Sequence, residues 1–108
     1  MNKEIIVTTG TEVSGRKIKK VIGIVRGNTV RSRNIGRDIM AMLKNLVGGE
    51  IKSYTELISQ ARDEAYNRMI NDAIAKGADA VIAMRFGTSS IMANSSEILA
   101  YGTAVKFE

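Results

Sequence analysis

Three arginines lie close together in the first half of the chain, at Arg31, Arg33 and Arg37. A guanidinium presents planar N–H donors that bind a carboxylate or a phosphate in a bidentate manner. The three precede or open a predicted helix, where cations oppose the helix dipole. Two interpretations follow: the arginines bind a small anionic ligand, or they pair with carboxylates of a neighbouring subunit. The candidate carboxylates are those of Asp63, Glu64 and Asp72.

Glu50 and Tyr54 follow a Gly48-Gly49 pair, close to the start of a second predicted helix. Free N–H groups at a helix N-terminus bind anions. The carboxylate of Glu50 can fill that position itself, in which case it acts as a structural cap. Under the alternative interpretation, five residues form a ligand-binding set. They are Arg31, Arg33, Arg37, Glu50 and Tyr54.

The sequence contains neither cysteine nor histidine. Thiolate nucleophiles, Ser-His-Asp triads and the usual zinc and copper ligands are therefore excluded. Methionines at apolar positions more often fill a core than bind a metal. We predict no catalytic residue, no metal ligand and no cofactor, and we expect a protein that is not an enzyme.

Charge is unevenly distributed along this chain of 108 residues, whose formal net charge is +5. Residues 1–52 contain eleven basic and four acidic side chains, whereas the remainder contains five basic and seven acidic ones. A basic half suits an anionic partner or the acidic surface of a second copy. The three tyrosines are too few for a base-stacking platform. We expect no nucleic-acid partner, although an anion- or nucleic-acid-binding module remains the alternative function.

Length and composition predict one domain over residues 1–108. The hydrophobic and charged fractions, 44% and 25%, are ordinary for a globular protein. No apolar run approaches the roughly 20 residues of a membrane span. The N-terminus also lacks the apolar stretch of a signal peptide. We expect a cytoplasmic protein with no membrane partner.

The first half of the chain predicts two strands and a helix. Residues 5–9 are a β-branched run, and residues 18–30 are apolar on both faces, which requires cover on both sides. Gly23 and Gly27 lie inside the second strand, where glycine marks a bulge or a close backbone approach. Over residues 35–47 the apolar side chains recur with helical spacing.

The second half predicts another helix followed by two strands. A capping box, Ser53-x-x-Glu56, predicts where the helix begins, and Lys76-Gly77 predicts where it ends. Residues 79–86 and 97–107 alternate as strands, joined by a polar hairpin loop over residues 87–96. The order β-β-α-α-β-β predicts an α+β fold of two layers.

Six segments of the sequence follow the pattern of a known family. They are IGIVRG (22–27), LVGGE (46–50), YTEL (54–57), ARDEAYNRM (61–69), AKGADAVIAMRF (75–86) and AYGTAV (100–105). In this order they resemble the YbjQ-like family of small uncharacterised bacterial proteins, over nearly the whole chain. The resemblance implies a ring-shaped homo-oligomer, a pentamer, whose two-layer α/β subunit resembles that of dodecin. It also implies the family's traditional label of "putative heavy-metal-binding domain", so a weak metal-binding protein is a further alternative.

The residues themselves also favour an oligomer. One subunit must cover a strand with two apolar faces and two amphipathic helices, and Ile91 and Met92 add apolar side chains to the predicted loop. Large exposed apolar surfaces usually mark interfaces, and closed cyclic symmetry buries them without forming filaments. We therefore expect a homo-oligomer in which any small-ligand site lies between subunits.

Overall fold

The structure, a computed structural model, describes residues 4–32, 50–92 and 95–108. In these ranges one helix packs on a four-stranded mixed sheet, which confirms the predicted α+β class. In chain order the elements are β1 (Ile6–Val7), β2 (Ile18–Ser32), α1 (Glu50–Ala75), β3 (Ala80–Met92) and β4 (Ser95–Phe107). The predicted first helix, residues 35–47, lies outside the described residues.

The strands lie in the order β1-β3-β4-β2. β4 pairs antiparallel with both β2 and β3, and the short β1 pairs in parallel with β3. The predicted loop over residues 87–96 is wrong, because β3 continues to Met92 and β4 begins at Ser95. Threonine is a good strand former, and strands that face solvent tolerate polar side chains. Polarity alone therefore did not locate the end of these strands.

The three long strands extend well beyond the usual strand length. They contain 15, 13 and 13 residues, whereas strands in globular proteins most often contain about 5–6. The radius of gyration is 17.2 Å, against about 13 Å for a compact domain of roughly 100 residues. The chain is therefore elongated, and its described residues form a large area of sheet for the one helix among them that packs on it.

The helix α1 packs mainly on β2 and β4 through small side chains. Ala61, Ala65, Met69 and Ala73 recur every four residues and are buried, so they form one stripe along the helix. Where this stripe crosses β2 the strand has Gly27. A Cβ atom there would collide with the carbonyl oxygen of Ala65 and the amide nitrogen of Met69. The prediction that Gly27 marks a bulge or a close backbone approach is confirmed, in the second form.

The C-terminal end of α1 is a Schellman motif. Gly77 has a φ of 79°, which is left-handed and favours glycine. Its N–H donates to the carbonyl of Ile74, and the N–H of Ala78 donates to that of Ala73, both at 3.0 Å. These two bonds satisfy carbonyls that the helix leaves unpaired. The helix end predicted at Lys76-Gly77 is confirmed.

The predicted start of this helix is wrong. α1 already includes Glu50, so the Ser53-x-x-Glu56 pattern lies within the helix and not at its N-cap. Residues three apart also lie on one helix face, and Ile51 and Lys52 have no helix-breaking tendency. The capping-box spacing is therefore compatible with a helix interior. Across the described part of the chain, no helix has the long apolar stretch that crossing a membrane requires.

Side chains of α1 also cover part of the free edge of β2. The N–H of Arg26 donates to Oδ2 of Asp72 at 3.3 Å. Nη1 of Arg68 donates to the carbonyl oxygen of Asn28 at 2.6 Å. An uncovered strand edge offers backbone groups to any other strand. These contacts therefore hold α1 across the edge and reduce its capacity to pair.

The register of the long strands shifts at four places, and a residue with a positive φ lies at two of them. Gly23 has a φ of 139°, and the register of β2 on β4 shifts between Val21 and Gly23, which confirms the prediction that this glycine marks a bulge or a close backbone approach. Ala83 has a φ of 52°, and the register of β3 on β4 shifts between Ile82 and Arg85. A positive φ is uncommon for any residue other than glycine. The sequence therefore gave no sign of this second bulge.

Candidate functional site

The face of the sheet opposite α1 is not covered at its centre by the described residues. We call the following six residues the open face. They form two rows across three strands, Ile24–Thr103–Ile82 and Arg26–Tyr101–Arg85. Because side chains alternate along a strand, Val25 and Ala100, which are next to Arg26 and Tyr101 in the chain, point toward α1 and are fully buried.

Exposure differs greatly between the two faces of β2. Ile24 is 73% exposed, whereas its neighbour Val25 is 0% exposed beneath α1. Tyr101, at the centre of the second row, is 39% exposed. Val13 packs at one end of the same face, against the buried cluster that contains Phe107. The centre of the open face therefore presents apolar surface that the described part of the chain does not cover.

The bulge at Ala83 determines where Arg85 lies. The successive N–H groups of Ala83 and Met84 donate to the carbonyls of Gly10 and Thr8, at 2.7 and 3.0 Å. The extra residue shifts the alternation of β3 by one position, since a shift of one reverses every following side chain. Arg85 consequently lies on the open face. Bulges of this kind often redirect a side chain beside a functional site.

The guanidinium of Arg85 is held by two backbone carbonyls. Its Nη1 donates to the carbonyl oxygen of Thr9 at 2.7 Å and to that of Met84 at 2.8 Å. Both bonds use the same nitrogen, so the Nε–Nη2 edge is left for a planar acceptor. Arg85 is thus an oriented cation with one bidentate edge available.

Arg26 lies at the β2 end of the same row. Asp72, which accepts the backbone N–H of Arg26, forms its ion pair with Lys76 at 3.2 Å. Glu97, further along the same face, accepts a hydrogen bond from Nδ2 of Asn28 at 2.9 Å. Among the described residues, no carboxylate pairs with the guanidinium of Arg26. Its charge is therefore not neutralised by a carboxylate of that part of the chain.

Tyr101 lies between the two arginines, and Gly87 lies beside its ring. A Cβ atom at Gly87 would be 3.8 Å from Cε1 of Tyr101, so the ring lies next to a position that has no side chain. The phenol adds a hydroxyl donor to the guanidinium donors of Arg26 and Arg85. This row combines two cations and one neutral donor, which is the donor set that an oxyanion prefers.

The structure describes three of the five predicted ligand-binding residues. Arg31 lies near the end of β2, and Glu50 and Tyr54 lie in α1. Arg33 and Arg37 lie outside the described residues. None of the three described residues belongs to the open face. The predicted set therefore remains a prediction, distinct from the row on the sheet.

Sequence reasoning missed Arg26, Tyr101 and Arg85 as a group. These residues are far apart in the sequence and become neighbours only through the register of β2, β4 and β3. The available signal was weak: an arginine occurs within or beside an apolar strand in two places. Only the pairing of the strands, including the Ala83 bulge, shows that the two arginines share a row.

The donor chemistry of the chain does not fit a soft-metal centre. Such metals are selected by thiolate and imidazole, and the sequence contains neither. Within residues 4–32, 50–92 and 95–108, no three acidic side chains come together as a ligand group. The thioethers of Met69 and Met84 lie in the core between α1 and the sheet. The chain's residues thus disagree with a heavy-metal site.

The sequence matches a family model and several known proteins. A family model described as "YbjQ_1: Putative heavy-metal-binding" matches residues 5–108. A UPF0145 protein of Archaeoglobus fulgidus is 56% identical over 106 residues, 98% of each chain. A UPF0145 protein of Shewanella frigidimarina is 57% identical over 101 residues, 94% of each chain. Similar proteins occur in archaea as well as bacteria, so the predicted restriction to bacteria was too narrow.

Comparison with solved structures supports the fold alone. A crystal structure of a protein of unknown function from Pediococcus pentosaceus, assigned to the DUF74 family, superposes with a TM-score of 0.61. The match covers 96% of this chain and 98% of that one, at 18% sequence identity. The arrangement of one helix on a mixed sheet is therefore shared with a distant protein.

Proposed function

The chain belongs to the YbjQ_1 family, whose similar UPF0145 proteins are uncharacterised, and we propose that it is a non-enzymatic binding protein. In this proposal the protein is a homo-oligomer, a pentameric ring, in which the open face of one subunit is covered by another. A small anionic ligand binds between the subunits. The absence of cysteine and histidine from the sequence and the donors of the open face favour binding over catalysis.

The observation behind this proposal is the contrast between Ile24 and Val25. Both are large apolar residues of β2, yet one is 73% and the other 0% exposed. Burying an aliphatic side chain contributes about 1.5–3 kcal/mol. If Ile24 remained in water, next to Tyr101, which is 39% exposed, the protein would lose this stabilisation. Contact with another subunit would bury Ile24 and restore this stabilisation.

Charge complementarity favours a second copy as that cover. α1 contains five acidic and three basic side chains, for a net charge of −2, and its outer face is exposed. The open face instead carries Arg26 and Arg85. The middle of α1 in one subunit, where Asp63 is exposed, and the open face of the next therefore attract each other. Such a contact joins two different surfaces, and it closes into a ring when the rotation allows.

The family resemblance supports the subunit number. The YbjQ-like pattern extends over nearly the whole chain, and that family implies a pentameric ring of dodecin-like subunits. A ring of this kind forms a cleft at each subunit boundary, where residues of two copies converge. Clefts between subunits are common positions for small-molecule sites.

The mass of the native particle tests the assembly. Light scattering coupled to gel filtration is expected to give five times the 11.7 kDa of the subunit, independent of dilution across the micromolar range. Another closed multiple would support assembly but contradict the pentamer. A mass equal to one subunit throughout that range would contradict the proposed cover of the open face.

A further inference from the structure

We propose that Arg26, Tyr101 and Arg85 form a binding site for a small oxyanion, a phosphate or a carboxylate. This inference rests on the proposed binding function and specifies its ligand class and its residues. It differs from the predicted arginine set, since none of its members is Arg31, Arg33 or Arg37. It also takes an anion, whereas the family's description refers to a metal cation.

The geometry of the sheet brings the three donors to one place. β2, β4 and β3 are adjacent, and the register sets Tyr101 opposite Arg26 on one side and opposite Arg85 on the other. Neighbouring strands lie about 4.8 Å apart, so the two arginine backbones are separated by roughly 10 Å. The register therefore places the three donors on three consecutive strands of one face.

The unbound row is electrostatically unfavourable. β4 lies between β2 and β3, so the two cations flank a single tyrosine and repel each other across it, over roughly 10 Å between their backbones. Glu97, the acidic residue further along the face, is hydrogen-bonded to Asn28. An oxyanion between the two guanidiniums would replace their repulsion with two attractive, charge-assisted contacts.

The backbone around Arg85 is arranged at a conformational cost. Ala83 holds a φ of 52°, and a non-glycine residue in this region costs of order 1–3 kcal/mol. The bulge puts Arg85 on the open face, and Thr9 and Met84 then fix its Nη1. A fixed guanidinium loses little side-chain freedom when it binds a ligand. Strain of this kind occurs most often where a side chain must be positioned for binding.

Assembly strengthens the case for an anion. A neighbouring subunit over the open face would remove Arg26 from water. An unpaired charge is costly to bury, and the cost is relieved only when a partner of opposite charge is present. Carboxylates of the neighbouring α1 and a bound oxyanion share that role, and their attraction to the arginines grows as water is excluded.

The test measures anion binding by the intact protein at constant ionic strength, with inorganic phosphate and succinate as separate probes against chloride. Calorimetric titration is expected to show saturable binding of at least one probe. Arg26→Gln is expected to weaken that binding at least tenfold, and Tyr101→Phe by a smaller factor. Lys20→Gln, which removes an exposed cation of β2 outside the row, is the matched control and should bind as the wild type does.

Three outcomes would overturn the site. They are binding of neither probe by the wild type, an equal loss in Lys20→Gln and Arg26→Gln, and Arg26-dependent binding of single-stranded RNA without binding of the small anions. The far-ultraviolet circular dichroism of each variant verifies that it is folded. Because Arg26 is exposed, its replacement by glutamine is expected to leave the fold intact.

Light scattering on the same samples separates this inference from the proposed assembly. A pentamer that ignores both anions overturns the site and leaves the assembly. A single subunit with Arg26-dependent binding overturns the assembly and supports the site.

Discussion

Replacing Gly27 with alanine is expected to lower the free energy of unfolding by about 3 kcal/mol. The new methyl group would collide with two backbone atoms of α1, the carbonyl oxygen of Ala65 and the amide nitrogen of Met69. Backbone atoms of a helix cannot rotate away as a side chain can, so the whole helix would have to move off β2. That movement would loosen the packing of Ala65 and Met69, which are fully buried.

Urea unfolding at a fixed protein concentration measures this effect, since the apparent stability of an oligomer depends on concentration. Gly10→Ala is the control, because a Cβ atom at Gly10 meets its nearest atom, Oγ1 of Thr8, at an ordinary 3.5 Å. The control is expected to remain within about 0.5 kcal/mol of the wild type. Equal midpoints for the two variants would show that α1 does not approach β2 at Gly27.

Replacing Ile24 with lysine is expected to dissociate the native particle into single subunits. In the isolated subunit Ile24 is largely exposed, so a lysine there should not disturb the fold. In the assembly the same position would place an ammonium group in an apolar contact. A buried, unpaired charge costs several kcal/mol, and the cost recurs at every contact of a closed ring.

Gel filtration with light scattering distinguishes the two states, and Ala75→Lys is the matched control. Ala75 is exposed at the end of α1, where a lysine interacts favourably with the helix dipole. The control adds the same charge to the chain and is expected to keep the wild-type mass. An Ile24→Lys protein that also keeps this mass would place the interface elsewhere.

Local features of the fold were predictable where a single residue has a strong backbone preference. Gly23 and Gly27 lie inside a strand, and each fits a specific feature of it, a bulge at the first and the crossing of α1 at the second. Gly77 ended the helix as predicted because glycine adopts a left-handed φ without cost. Each of these predictions depends only on a few neighbouring residues.

Features that depend on pairing between distant segments were not predictable. The bulge at Ala83 is fixed by hydrogen bonds to Thr8 and Gly10, and alanine has no preference for its conformation. β3 extends to Met92, into the segment predicted as a polar loop, because it pairs there with β4.

The row formed by Arg26, Tyr101 and Arg85 follows from both the Ala83 bulge and the strand register. The spacing of these three residues along the sequence therefore could not predict the candidate site, although the sequence contains each of them.

The cover of the open face can be measured directly, because the sequence contains no cysteine and a single introduced thiol reports on one position. In native buffer, the thiol of Ile24→Cys is expected to react with a maleimide at least tenfold more slowly than that of Ala75→Cys, and at the same rate in denaturant. Light scattering verifies that both variants keep the wild-type mass. Equal rates in native buffer would mean that water reaches Ile24 freely and that no other copy covers this face.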